Sequence, residues 1–353
     1  MSTVAPEVLV AMSGGVDSSV AASILLGQGY RVVGVTMKLW GGESDTGCCS
    51  VSDVDDARRV AQQIGIDHHV FNFGDDFERH VVAPYVDAYA AGRTPNPCIE
   101  CNRHLKFDRL LHRASMLGIE LVATGHHARI VTEADGTRRV ARGADRAKDQ
   151  SYVLHMLGQA QLARLLFPLG DTTKDHVRAQ ARAQGLRTAA KPDSQDVCFI
   201  TSAAGRQGFL ERRHLPLTPG RVVDGTGAVV GAVPAVELVT IGQRKNLGMA
   251  GGTREPRYAI DVDLPTATIT IGERRDLDRS TVTLDDVAWS ASPFAGQVRA
   301  QVSAHGDAHP ATFDPGAATL TWLEPRRRVA PGQAVVLYDA VTGCVVLGGG
   351  TAQ

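Results

Sequence analysis

VLVAMSGGVDSSVAASILL, residues 8–26, is the stretch that decides the fold. The apolar run from Val8 to Met12 reads as a buried strand, Gly14 and Gly15 break it, and a helical pattern follows from Ser18 to Leu26. A glycine turn between a strand and a helix start leaves backbone N–H groups and the positive end of the helix dipole free to hold an anion. Ser13, Ser18 and Ser19 could add hydroxyl donors. Asp17 would repel a phosphate, so it reads as a residue on the magnesium side of such an anion or as a cap. The stretch is neither G-x-x-x-x-G-K-[ST] nor G-x-G-x-x-G, which disfavours a Walker-type kinase and a dinucleotide enzyme.

Outward from this turn the pattern alternates. Strands are predicted over Arg31–Met37, His68–Phe73 and Leu121–Gly125, with helices over Val51–Gly65, Asp76–Ala91 and about Arg103–Leu117. Alternating strands and helices imply an α/β fold with a doubly wound parallel sheet and a ligand at the carboxyl ends of its strands. After about Phe199 the texture becomes β-rich, in GRVVDGTGAVVG, RYAIDVDLPTATITIG and QAVVLYDAVTGCVVLGGG, predicting one or two small β domains with a junction near Glu273–Arg279.

The chain has 353 residues, enough for two or three domains, and 43% hydrophobic with 21% charged residues excludes wholesale disorder. The N-terminal residues lack the basic flank and long apolar run of a signal peptide or membrane span, so a cytoplasmic protein without a membrane partner is expected. Lys and Arg number 37 against 38 Asp and Glu, so any nucleic-acid partner must be held by local patches. Candidates are Arg138, Arg139, Arg142, Arg146 and Lys148, then the pairs Arg212–Arg213, Arg244–Lys245 and Arg274–Arg275, and Arg326–Arg328.

Six cysteines are too few for a disulfide framework. Cys48 and Cys49 are adjacent, Cys98 and Cys101 form a C-x-x-C behind a rigid Pro-Asn-Pro, and Cys198 and Cys344 stand apart. A thiol in the first turn of a helix, near Arg103 and Lys106, predicts a lowered pKa for Cys101. A zinc half-site or a redox pair is the alternative for C-x-x-C, but no second such motif completes a tetrahedral zinc site. Cys198, in KPDSQDVCFI, reads as a thiol beside the apolar Phe199 and Ile200.

SGGVDSS resembles the pyrophosphate loop of ATP-pyrophosphatases, which cut ATP between its α and β phosphates. Six motifs in order, SGGVDSS, TPNP-x-x-x-CN with KF after it, ATGHHAR, KDQSYVL, DS-x-x-x-CFI and GQRKNLG, resemble the bacterial tRNA-specific 2-thiouridylases. That resemblance implies a catalytic domain over residues 1–203, a small central domain over 204–273 and a C-terminal β-barrel over 274–353 that contacts tRNA. It implies ATP, with Mg2+, on Ala11, Met12, Ser13, Gly14, Gly15, Val16, Asp17 and Ser18, with Met37 and Gly125 at the adenosine. It implies adenylation of the 2-oxygen of the wobble uridine and sulfur transfer through a persulfide on Cys198, with Cys101 as the second catalytic thiol.

The same resemblance puts Asn96, Pro97, Cys98, His126, Lys148, Asp149, Gln150 and Gln333 against the tRNA anticodon arm. A cysteine desulfurase or relay protein would supply sulfur, and the enzyme would act as a monomer. Cys98 stands where some relatives carry Asp, so a carboxylate acid is not available there. Three thiols, Cys98, Cys101 and Cys198, could instead hold an iron–sulfur cluster, the second-ranked mechanism. Asn246 replaces a glycine in GQRKNLG, and asparagine tolerates the left-handed backbone such a turn needs.

Overall fold

The computed structural model describes residues 5–39, 51–193, 197–200, 204–249 and 255–353. Cys48, Cys49 and the Ser194–Asp196 part of the KPDSQDVCFI loop lie outside the described residues.

β1 (Glu7–Ala11) leads through the glycine turn into α1 (Val16–Gly27), followed by β2 (Arg31–Lys38), α2 (Val51–Ile64) and β3 (Asp67–Asn72). The chain then crosses to the other side of β1 to form β4 (Leu121–Thr124). A hairpin that the sequence reading did not foresee follows, β5 (Ala128–Thr132) and β6 (Arg138–Arg142), and then the two-residue β7 (Leu165–Leu166). The sheet order is β3-β2-β1-β4-β7, with all neighbours parallel. Alternate residues of β1 feed opposite cores, as a two-residue repeat demands. Val8 and Val10, with Met12 beyond the strand, pack with Val20 of α1 and with Val177, while Leu9 and Ala11 pack with Phe77, Tyr85 and Leu105. Because the strand order reverses between β1 and β4, the glycine turn and Gly125 flank the switch point of the sheet.

Two helices differ from expectation. The first is built from Gly74–Phe77, a π-helical Glu78–Val82 and Ala83–Ala90. The second starts six residues earlier than predicted, at Pro97, and its middle, Cys101–Arg109, is also π-helical before Leu110–Met116. Asn96 supplies the start signal, since its side chain accepts from the Cys98 N–H and Pro97 needs no donor partner in a first turn. Cys98 is therefore the thiol in the first turn, where the helix dipole acts, and Cys101 lies beyond it, 8% exposed.

β8 (Gly220–Val223), β9 (Val229–Val233), β10 (Tyr258–Asp263) and β11 (Thr268–Gly272) form a small sheet in the order β10-β11-β8-β9. Asn246 does adopt the left-handed backbone, at φ 59°. β12 (Asp278–Trp289), β13 (Gly296–Gln301), β14 (His309–Asp314), β15 (Thr319–Arg327), β16 (Ala334–Asp339) and β17 (Val346–Ala352) close into a barrel in the order β12-β15-β14-β13-β16-β17. Closure removes exposed strand edges, and Phe313, Leu320 and Val335 fill the interior. Among the described residues no helix is long and apolar enough to cross a membrane.

Candidate active site

Gly14 has φ +71°, and a Cβ there would lie 2.2 Å from the Asp53 carbonyl oxygen, so only glycine fits. The serines secure the turn from inside. The Ser13 N–H donates to Ser18 Oγ, and the Ser18 and Ser19 hydroxyls both donate to the Gly15 carbonyl. Ser18 and Ser19 are buried, and in this structure their hydroxyls hold the loop. Ser13 remains exposed.

Two cavities meet on this turn. A slot of about 190 Å3 is lined by Ala11, Met12, Ser13, Asp17, Ser18, Met37 and Gly125, which are seven of the ten positions assigned to the nucleotide, together with Lys106 and His126. The other three are at the turn itself: Gly15 and Val16 line the second cavity, of about 330 Å3, and the Gly14 carbonyl accepts from Lys191. A Cβ on Gly125 would stand 2.7 Å from the Ser18 nitrogen, so β4 can approach the turn only through a glycine.

The second cavity holds what the sequence reading missed. Lys148, Lys174 and Lys191 all line it, with Asp53, His127 and Asp193. Lys174 Nζ donates to both Asp17 oxygens at 2.7 Å, and His127 Nε2 lies 3.1 Å from the same carboxylate. Asp193 takes Lys148, Lys174 and Arg178 at 2.7–2.8 Å. Lys191 donates to Asp53 and Asp56 as well as to Gly14. Burial pushes the Asp17 carboxyl up, but hydrogen bonds from His127 and Lys174 outweigh it and hold its pKa below the ordinary value. Asp193 is lowered in the same way, burial being overcome by Lys148 and Lys174. The Lys191 ammonium is also weakened by burial, yet its bonds to Asp53 and Asp56 raise its pKa on balance.

One signal in the sequence could have found these cations. The chain has only six lysines among its 37 basic residues, and three of them line this cavity while Lys106 lines the slot.

The cysteines share a core. Cys101 is buried in the large apolar cluster, and half-buried Cys198 packs against the same cluster. Phe199 anchors the Cys198 turn, its ring 5.6, 5.3 and 5.0 Å from those of Phe77, Tyr85 and Phe209. Cys101 and Lys106 lie on one π-helical segment, so the wall of the smaller slot and a candidate sulfur residue are carried by the same element. Cys98 is exposed.

The residues assigned to tRNA separate into distinct settings. Asn96 lines a groove of about 410 Å3 between its helix and the barrel, across from Gly332 and Ala334, the neighbours of Gln333. Pro97 is buried. His126 is buried between Phe107 and Phe167, with Nδ1 against Thr124 Oγ1, and it lines the smaller slot; burial first, then Lys106 and His127, hold its pKa well below the ordinary histidine value. Lys148 and Gln150 are exposed. Asp149 has a side chain only 5% exposed and bonded within the protein. The Arg138–Lys148 basic run divides: Arg138 donates to the Leu162 and Ala163 carbonyls, Arg139 pairs with Glu133 and Arg142 is buried, while Arg146 and Lys148 are exposed.

Among the described residues no three His, Cys, Asp or Glu side chains converge as ligands for a metal ion. A magnesium ion held by one carboxylate and the phosphates of a nucleotide fits Asp17, since that ion keeps few protein ligands. Cys98, Cys101 and Cys198 are likewise not gathered as ligands among the described residues.

Comparison with known proteins agrees with this layout. Three family models match in order: the tRNA methyl transferase HUP domain over residues 6–202, the tRNA methyl transferase PRC-barrel domain over 207–273 and the Aminomethyltransferase beta-barrel domain over 279–352. The tRNA-specific 2-thiouridylase MnmA of Carboxydothermus hydrogenoformans is 45% identical, covering 98% of this chain and 97% of its own. Those of Roseiflexus sp. and Chloroflexus aurantiacus are 44% and 45% identical, again over 98% of this chain and 98% and 97% of theirs. With a glycine turn of this construction at the switch point and relatives matching end to end, the chain belongs to the tRNA-specific 2-thiouridylase family.

Proposed function

We propose that the protein uses ATP to replace the 2-oxygen of the wobble uridine, position 34, of tRNA by sulfur, giving 2-thiouridine, AMP and pyrophosphate. The observation that carries this reading is the meeting of two cavities on one glycine turn, one rich in lysine and one reaching the helix of Cys101. The triphosphate occupies the larger cavity, where Lys148, Lys174 and Lys191 offset the charge of the β and γ phosphates and stabilise departing pyrophosphate. Asp17, beside Lys174, takes the magnesium side. Adenosine occupies the slot between Met12, Met37 and Gly125. His126, kept neutral by burial, lines that slot and serves the nucleotide more directly than the tRNA.

Attack of the uridine 2-oxygen on the α phosphate releases pyrophosphate and leaves carbon 2 bonded to an AMP leaving group. The terminal sulfur of a Cys198 persulfide then attacks carbon 2 and AMP departs with the oxygen. The Cys101 thiolate attacks the Cys198 sulfur, releasing the thiolated base and forming a Cys101–Cys198 disulfide that an external thiol reduces. The sulfur comes from a cysteine desulfurase or relay protein, and the enzyme works as a cytoplasmic monomer of three domains, 1–203, 204–273 and 274–353. The anticodon arm lies over Asn96–Cys98 and Gln333, with Lys148 and Gln150 reaching it from the rim of the phosphate cavity.

Incubation with unmodified tRNA, ATP, magnesium and a persulfide donor tests this directly. Two-thiouridine and AMP should form in equal amounts. Tight tRNA binding with no AMP produced would make the protein a binding module with an inactive nucleotide loop.

A further inference from the structure

Asp149 lines the phosphate cavity with its neighbours Lys148 and Gln150, yet its carboxylate is only 5% exposed and turned to donors within the protein. Each carboxylate oxygen is saturated. Oδ1 accepts from the Gly143 and Ser151 N–H groups at 3.0 and 3.1 Å, and Oδ2 accepts from Arg142 Nη1 and Ser151 Oγ, both at 2.8 Å. Arg142 is the bridge to the barrel. Its Nε donates to the Gly343 carbonyl at 2.9 Å, its Nη2 donates to Gln301 Oε1, and its guanidinium lies 3.9 Å over the Tyr338 ring. The Tyr338 hydroxyl returns to Ser151 Oγ at 3.0 Å, and Tyr152 donates to the Ala334 carbonyl at 2.8 Å.

On the other side the same segment grips the glycine turn. Gln150 Oε1 accepts from the His127 N–H at 2.9 Å, His127 bonds Asp17, and Lys148 is tied through Asp193 to Lys174.

We propose that Asp149 is a positioning residue for ATP: the docked barrel, acting through Arg142 and Tyr338, fixes Asp149 and so holds Lys148 and Gln150 on the phosphate cavity. The inference rests on the proposed reading of that cavity as the triphosphate site. It replaces the tRNA contact that family resemblance implies for Asp149, because a carboxylate with four internal donors and almost no exposure has nothing left to offer RNA. It also gives the C-terminal barrel a part in nucleotide use.

The test uses the full-length protein and two variants, Asp149→Asn and Tyr338→Phe, the second altering only a barrel residue that lines neither cavity at the glycine turn. Affinity for a non-hydrolysable ATP analogue is measured without tRNA, tRNA affinity is measured without nucleotide, and steady-state thiolation gives KM and kcat. Asp149→Asn should weaken the analogue about tenfold, as expected for loss of a charged hydrogen bond, and Tyr338→Phe should weaken it in the same direction by less. KM for ATP should rise in step, with kcat at saturating ATP nearly kept and any fall in tRNA affinity smaller than the fall in analogue affinity. Wild-type analogue affinity in both variants overturns the proposal, and so does a fall in tRNA affinity alone, which would make Asp149 an RNA contact. If Asp149→Asn loses its cooperative melting, Tyr338→Phe decides. Failure of the wild-type protein to bind the analogue would sink the ATP reading itself, whereas a binding wild type with unaffected variants sinks only this inference.

Discussion

Lys174 donates two bonds to Asp17, and Lys191 donates to the Gly14 carbonyl, so each lysine joins a distant segment to the glycine turn. Lys174→Met should raise KM for ATP at least about tenfold, the equivalent of one charge-assisted hydrogen bond, while leaving tRNA affinity unchanged; titration with an ATP analogue checks it. The acid dependence of stability follows from Asp17 and Asp193. Both have folded-state pKa values below the ordinary 3.8, so across that interval the unfolded chain binds more protons than the folded one. Their stabilisation is complete above about pH 4 and is lost as pH falls through the folded values. Asp193→Asn should therefore lower stability above pH 4 and flatten the acid limb, as measured by urea unfolding across pH 2–6.

Among the elements, strands β1 to β4 of the α/β domain were legible in the sequence, whereas β5, β6 and β7 were not. A parallel strand buried on both faces must be apolar along its length, and β1, β2 and β4 are short runs of that kind ended by glycine or polar residues. The β-hairpins after residue 200 were legible for the same local reason, their turn residues. The π-helical stretch at Cys101–Arg109 was not, because its wider hydrogen-bonded register leaves no distinct residue pattern, and the helix start at Pro97 was displaced by taking Arg103 as its beginning. The lysine cavity was least legible of all: Lys174 and Asp17 are 157 residues apart, and no periodicity reports such a meeting. Asn246 shows the opposite case, where one side chain announces its backbone. At φ 59° Asn246→Ala should cost about 1 kcal/mol and Asn246→Gly should be neutral or slightly stabilising, read from thermal unfolding. The exposed neighbours Arg244 and Lys245 belong to the same turn. Replacing both by Ser should weaken tRNA binding and reduce the salt slope by about 1–2 without changing ATP affinity.

Across the whole molecule, a net charge of −1 hides a division of labour among the basic residues. Arg142, Arg178 and Arg213 pair within the protein with Asp149, Asp193 and Glu78, the first pair buried and the others partly exposed, while four of the six lysines line the two cavities at the glycine turn. Near neutrality therefore does not speak against an RNA substrate, because the charges that matter are local. The Arg142–Asp149 pair has side chains only 10% and 5% exposed, so Arg142→Met would strand a buried carboxylate and should cost about 3–5 kcal/mol in urea unfolding.

The central claim, that Cys101 and Cys198 carry sulfur to an ATP-activated uridine, is tested most directly by nucleoside mass analysis of tRNA incubated with wild type, Cys101→Ser or Cys198→Ser, ATP, magnesium and a persulfide donor. Loss of 2-thiouridine in both variants, with ATP and tRNA affinities kept, is the predicted result. Wild-type levels of 2-thiouridine in either variant would contradict it.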